Sequence, residues 1–273
     1  GSWHSASDTA DSSGNWEAGF TLLDITAGTL GYAREYDSEG NSTNIFWYVP
    51  DPYIEVFPFE HDIRGNDWTP NTQITLSIGS SQWQKESDEH GWVSFNIDPF
   101  ELPPGTEVVM TDGTYTQSHI VTSLTITTVD KENNTISGTA GSGTTIRVTG
   151  SDNNDWDDME VTANSSGSWT ADFTGSLDFD TGSSGRAIQY DEDENSTNVE
   201  WFIPDPRFQV YLVGDYIYGS RWTPNSTVTA SIDGVVNGSG VFDESGWGYI
   251  DIEGEVKPGQ VVSLTDGTYT RTH

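Results

Sequence analysis

Apolar and polar residues alternate along most of this 273-residue chain. Ile126, Ile146, Val148 and Val161 stand among threonines, and Val228, Ile232, Ile250 and Ile252 repeat the pattern downstream. A period of two places alternate side chains on one face, so these segments predict half-buried antiparallel strands. No segment carries a 3.6-residue period, and Gly/Asn/Asp turns recur throughout. The expectation is all-β. No stretch approaches the roughly 18 uninterrupted apolar residues of a membrane helix.

The strands are organised by a repeat. WTPN at 68–71 returns at 222–225, DGTYT at 112–116 returns at 266–270, and PDP at 50–52 returns at 204–206, each displaced by 154. Each period divides into two unlike modules. Residues 120–203 form a complete module of the first type, and 50–119 and 204–273 are two of the second type. Residues 1–49 match only the second half of the first type, with no counterpart of 120–153. Such a half sandwich is expected to expose strand edges and an open core face. A strand donated by another chain, or further sequence upstream, would complete it. Two second halves and one first half cannot complete each other by exchange, so the expectation is a window from a longer repetitive protein.

A turn precedes four tryptophans: ADSSGNW (10–16), SDEHGW (87–92), NSSGSW (164–169) and DESGWG (243–248). Asp or Asn opens such a turn through its side chain and Gly supplies positive φ. The tryptophan that follows is expected to start a strand and enter the core. ISGTAGSGTTIRVTG, VTANSSGSWTADF and AIQYDEDENST together resemble the bacterial immunoglobulin-like repeat family, which carries a G-T-A-x-x-G-T-T-I-x-V strand pair, a D/N-x-x-G-x-W hairpin and a late D-x-D/G-x-N-S/T turn. The likeness covers about 84 residues fully and 1–49 partly. It implies a tandem array of small Ig-like antiparallel β-sandwiches, used as spacer, stalk or adhesive segments of large secreted proteins. The sequence departs from that pattern at Asp193–Glu194–Asn195, where glycine is expected, so the turn type there is open.

Charge narrows the partners. Ten Lys and Arg against 43 Asp and Glu give a net charge of −33. Phosphate contacts need a basic face, so nucleic acid and anionic membrane surfaces are disfavoured. Disorder is disfavoured too, because 33 residues are aromatic and the alternation is regular. An acidic surface fits a secreted or surface protein, a calcium-loaded one, or one adapted to a saline habitat. The chain has no cysteine, which excludes disulfides and thiolate-ligated metals.

Candidate chemistry is limited. Asp191, Asp193 and Asn195, and in the earlier copy Asp37, Glu39 and Asn41, offer alternating oxygen ligands of the kind calcium takes. The EF-hand pattern is not met, and a solvated hairpin tip explains the same residues. Asp152, Asp155, Asp157 and Asp158 form a second acidic cluster. Ten of eleven tryptophans pair across the repeat, which fits core aromatics. Trp83 has no counterpart and is either a platform for a sugar ring or a loop residue packed on a neighbouring module. His119 and His273 are repeat equivalents, read as packing or hydrogen-bonding residues. No HExxH or GxSxG pattern occurs, so no enzyme is expected. The sequon at Asn195 is read as turn chemistry.

WYVPDPY (47–53) and WFIPDPR (201–207) join modules through two prolines, and QSHIVTSLTI (117–126) runs strand into strand. Proline fixes φ and biases its predecessor to extended geometry, so stiff joins and a rod are expected. The whole reads as a stalk, adhesin shaft or filament, extracellular or at a cell surface. Its partners would be neighbouring modules or copies of the same protein. The alternative is a set of carbohydrate-binding modules that contact surface glycans.

Overall fold

The computed structural model describes residues 4–21, 23–152, 154–212 and 214–273. Among them are twenty-three strands and no helix. The first two, β1 (Leu30–Tyr36) and β2 (Ser42–Tyr48), form an antiparallel hairpin on its own. Its Ile45 and Phe46 are 66% and 80% exposed. The residues 154 further on in the chain show the contrast: Val199, the counterpart of Ile45, is buried.

Residues 53–120 fold as two packed sheets. One contains β3 (Tyr53–Phe57), β4 (Asp62–Asn66) and β7 (Val93–Asn96). The other has β5 (Gln73–Ile78) between β6 (Ser81–Glu86) and β8 (Glu107–Thr111), with β9 (Thr116–Ile120) beyond β8. Alternate residues face inward: Ile74, Leu76 and Ile78 of β5 meet Ile54, Val56 and Ile63 around Trp68. This is an Ig-like sandwich built by strand alternation.

The next sandwich sets β10 (Thr125–Asp130), β11 (Thr135–Thr139) and β14 (Ser168–Asp172) against β12 (Thr145–Ser151), β13 (Trp156–Thr162), β15 (Ser184–Tyr190) and β16 (Ser196–Phe202). Its core is Ile136, Ile146, Val148, Trp169, Phe173, Phe179 and Trp201. Phe179 packs edge-on to Trp201 at 5.0 Å between ring centroids, a preferred aromatic geometry. The last sandwich comprises β17 (Arg207–Tyr211), β18 (Tyr216–Ser220), β19 (Thr227–Ile232), β20 (Val235–Val241), β21 (Gly248–Asp251), β22 (Val262–Thr265) and β23 (Thr270–Thr272). Its sheets, β17-β18-β21 and β20-β19-β22-β23, reproduce the strand orders β3-β4-β7 and β6-β5-β8-β9.

The repeated motifs bind one another. Thr69 of WTPN donates its hydroxyl to Asp112 of DGTYT at 2.6 Å, and Thr223 donates to Asp266 at the same distance. Glycine is required at Gly91 and Gly246, where φ is +77° and +71°. A Cβ at either position would fall 2.1 Å from the carbonyl oxygen of Trp68 or Trp222. The turn and the core tryptophan therefore touch through backbone alone.

The turn tryptophans correct the sequence reading. Trp169 is buried on a strand, but Trp92 and Trp247 precede their strands and are exposed, and Trp16 is 55% exposed outside any strand. The cores of the second-type sandwiches are instead anchored by Trp68 and Trp222, each fully buried. Truncation should separate the two classes. Trp68→Ala is expected to cost about 3–5 kcal/mol in urea unfolding, and Trp16→Ala less than about 0.5 kcal/mol.

Candidate functional site

The residues quoted at the Asp191 turn lie at a junction between sandwiches. Asp191 opens an Asx turn: its Oδ1 accepts the backbone N–H groups of Asp193 and Asn195, both at 3.0 Å. Glu194 takes the left-handed slot with φ +65°, where glycine stands in the sister turns. A non-glycine residue there is strained, and the contacts made by its neighbours hold it.

Those contacts reach across to the preceding sandwich. Asn195 Oδ1 accepts the backbone N–H of Ile54 at 2.8 Å, and its amide nitrogen lies 3.4 Å from the carbonyl oxygen of Ser118. His119 Nδ1 is 2.8 Å from Asp191 Oδ2, and Nε2 is 2.8 Å from Thr197 Oγ1. With its proton on Nδ1, the ring donates to Asp191 and accepts from the Thr197 hydroxyl. Thr197 Oγ1 also accepts the N–H of Thr122 at 3.0 Å, on the segment that joins the two sandwiches.

The junction is also a sheet. β16 pairs in parallel with β3, Ser196 beside Glu55 and Thr197 beside Val56. This merges two sandwiches into one seven-stranded sheet, β13-β12-β15-β16-β3-β4-β7. Asn195, Ser196, Thr197 and Asn198 are 0% exposed in consequence. Arg186 and Glu55 meet across the same seam at 3.5 Å, and Arg64 sits 3.9 Å over the ring of Phe57. Val121 and Leu124, either side of the crossing, are buried in the cores of the two sandwiches.

The remaining candidate residues are placed as follows. Asp37 Oδ1 accepts the N–H groups of Glu39 and Asn41, and Oδ2 takes the Asn41 amide at 2.8 Å. These bonds, led by the Asn41 side chain, hold the Asp37 carboxyl below the usual carboxylate range. Asp152 accepts the N–H groups of Asn154, Asp155 and Asp178. Asp157 and Asp158 are successive on β13 and so face opposite sides, with Asp158 paired to Arg147 at 2.8 Å. Among the described residues no three His, Asp or Glu side chains gather where one cation could reach them. Of these carboxylates, Asp37, Asp152 and Asp191 accept the backbone N–H groups of their own turns.

Trp83 is on a strand and not in a loop. It stands opposite Leu76 on β6, packs against the core of its own sandwich, and meets Phe100 edge-on at 5.5 Å. It is therefore not a loop residue seated on a neighbouring module. Ile54 through its backbone, Arg186 and Glu55 carry part of the junction with no candidate role in the sequence. Asp191, Asn195, His119 and the 117–126 join were marked there, but as a turn, a packing residue and a strand connection and not as parts that meet.

Non-adjacent sandwiches also meet. Glu244 Oε1 of the last sandwich lies 3.7 Å from His61 Nδ1 of the first, although a whole module separates them in sequence. Beside them Glu60 has a buried Oε2 with no hydrogen-bond partner. Burial first, and then the charges of Glu200 and Glu244, push the Glu60 carboxyl up to about 7.

No family model matches the chain, and no curated protein matches it. Solved structures do match over most of its length. One is the tetra-tandem repeat in the extending region of a large adhesion protein, 18% identical, with a TM-score of 0.24 over 93% of this chain and 85% of that one. A second is a Ca2+-stabilized adhesin that helps an Antarctic bacterium bind ice, 17% identical, with a TM-score of 0.23 over 92% and 73%. A third is the BSP domain of a biofilm associated protein, 11% identical, with a TM-score of 0.24 over 81% and 65%. At such identities and TM-scores no property of those proteins transfers to this chain.

Two outcomes test the junction. Asn195→Ala leaves the Ile54 N–H buried without an acceptor, at a cost of about 1–3 kcal/mol. It should split a shared unfolding transition of the two sandwiches into separate ones, read by calorimetry. Glu60→Gln tests the buried carboxyl. Its raised pKa means that the folded state holds the proton more tightly, so stability is greatest below the unfolded pKa near 4.5 and is lost as pH rises through about 7. The substitution should therefore raise the thermal midpoint at a pH of about 8 and change it little at about 4.

Proposed function

We propose that the chain is a structural, load-bearing repeat segment of a secreted or surface bacterial protein. In this reading 120–203 is a complete first-type module, 50–119 and 204–273 are second-type modules, and 1–49 is part of another first-type module. One observation carries it: the parallel β16–β3 pair and the buried run Asn195–Asn198 weld two sandwiches into a single sheet. A flexible tether would need none of this. Polar residues withdrawn from water in a junction are costly unless their bonds hold, so the geometry of the join is specified and not merely permitted. The net charge of −33 suits an exposed, soluble surface.

The carbohydrate reading rests on no particular observation, since Trp83, its named residue, packs within its own sandwich. The two are separated by pulling single molecules and by a glycan array. A load-bearing segment should show a discrete force peak for release of the 53–203 junction, lowered by Asn195→Ala, and no glycan binding. Release with no measurable force, or glycan binding abolished by Trp83→Ala, would overturn it.

A further inference from the structure

The chain carries the components of the junction a second time, unassembled. Asp191, Asn195 and Thr197 form a plug, and its counterparts 154 residues earlier are Asp37, Asn41 and Thr43, identical in type. The socket is His119 with the backbone of Ser118 and Ile54; its counterparts are His273, Thr272 and Phe208. Ser196 and Asn198 are likewise preserved as Ser42 and Asn44. We propose that the Asp37–Asn44 plug of one copy of this chain docks into the Phe208/His273 socket of a second copy, adding β2 in parallel to β17.

Both halves are already shaped for it. In the assembled junction His119 is held opposite Val108 on β9 and β8, and His273 exchanges the same pair of backbone bonds with Val262, at 2.9 and 3.0 Å. The imidazole of His273 stands edge-on to Phe208 at 6.4 Å and is exposed. Among the described residues β17 pairs only with β18, and β2 only with β1, so each offers an open edge where β3 and β16 are joined. The plug holds the same Asx turn, with Asp37 Oδ1 accepting the N–H groups of Glu39 and Asn41.

The differences are those expected between an empty and a filled plug. The Asn41 amide folds back onto Asp37 Oδ2 at 2.8 Å. In the assembled junction His119 takes that oxygen on Asp191, and Asn195 turns to Ile54 and Ser118. Ser42, Thr43 and Asn44 are exposed, whereas Ser196, Thr197 and Asn198 are fully buried. The rim changes character: Arg186, Glu55 and Phe57 become Tyr32, Gln209 and Tyr211, so the ion pair across the seam is replaced by rings and an amide. An exposed pair of aromatics suits a protein contact. Plug and socket lie on different surfaces, so the contact is heterologous and continues from copy to copy rather than closing on itself as a twofold pair does. The proposal stands on the junction geometry and does not depend on the load-bearing reading.

The absence of cysteine makes the test direct. Ser42 and Gln209 correspond to Ser196 and Glu55, which are neighbours in the assembled sheet. Chains of this 273-residue sequence carrying Ser42→Cys or Gln209→Cys are mixed under mild oxidation, with the double variant Glu55→Cys/Ser196→Cys as the internal reference. The expected result is an intrachain disulfide in the reference and a mixed Ser42→Cys/Gln209→Cys dimer well above statistical proportion. Asn41→Ala in the first chain, or His273→Ala in the second, should each lower its yield about tenfold. Asn41 and His273 are exposed and lie just outside β2 and β23, so neither substitution removes a core contact. Disulfides in statistical proportion, a mixed dimer indifferent to both alanine variants, or failure of the internal reference to close would each overturn the proposal.

Discussion

Four consecutive polar residues, Asn195 to Asn198, are withdrawn from water where two sandwiches meet, and satisfying them fixes how the sandwiches are set. A buried amide or hydroxyl without a partner costs a large fraction of a small domain's stability. Asn195 is answered by the backbone of β3, Thr197 by His119 and Thr122, and Asn198 by Ser196, leaving only the Asn198 Oδ1 without a bond. These bonds form in one relative placement of the modules. The apolar cores would accept several.

The same Asx turn is used for two ends. At Asp11, Asp88 and Asp243 it reverses the chain: one carboxylate oxygen accepts two backbone N–H groups while a glycine supplies the positive φ. At Asp191 one oxygen does that work and the other is free for His119. A hairpin tip thereby becomes an interface without any change in its backbone. Glu194 in the glycine slot fits a turn clamped from outside.

The all-β class, the strand alternation, the turn chemistry and the 154-residue correspondence of motifs were legible because each depends on neighbours in sequence. Ile74, Leu76 and Ile78 face inward as their period of two requires. What failed depended on distant chain. DEDENST has the composition of a solvated tip, and its second half is buried by pairing with β3, 141 residues from Asn195 to Ile54, and by the contacts of Ser118, His119 and Thr122. Trp92 and Trp247 follow the same turn as Trp169 but are exposed, because turn chemistry sets the backbone and not which side is covered. Trp83 lacks a repeat partner because its strand is answered in the last sandwich by β20, whose Gly238 and Gly240 lie against the backbone of β21, where a Cβ would clash with Asp251 and Tyr249.

The parallel sense of the β16–β3 pair has a mechanical meaning. The chain enters the first of these strands at Tyr53 and leaves the second at Phe202, which are opposite ends of two strands running in the same direction. Tension along the polypeptide therefore slides one strand lengthwise past the other, across bonds that run between them. Those bonds, together with the Asn195 and His119 contacts, share the strain and must give way together. An antiparallel pair entered and left at adjacent ends would open one bond at a time, like a zip. The direction of a single strand decides whether the seam shears or peels.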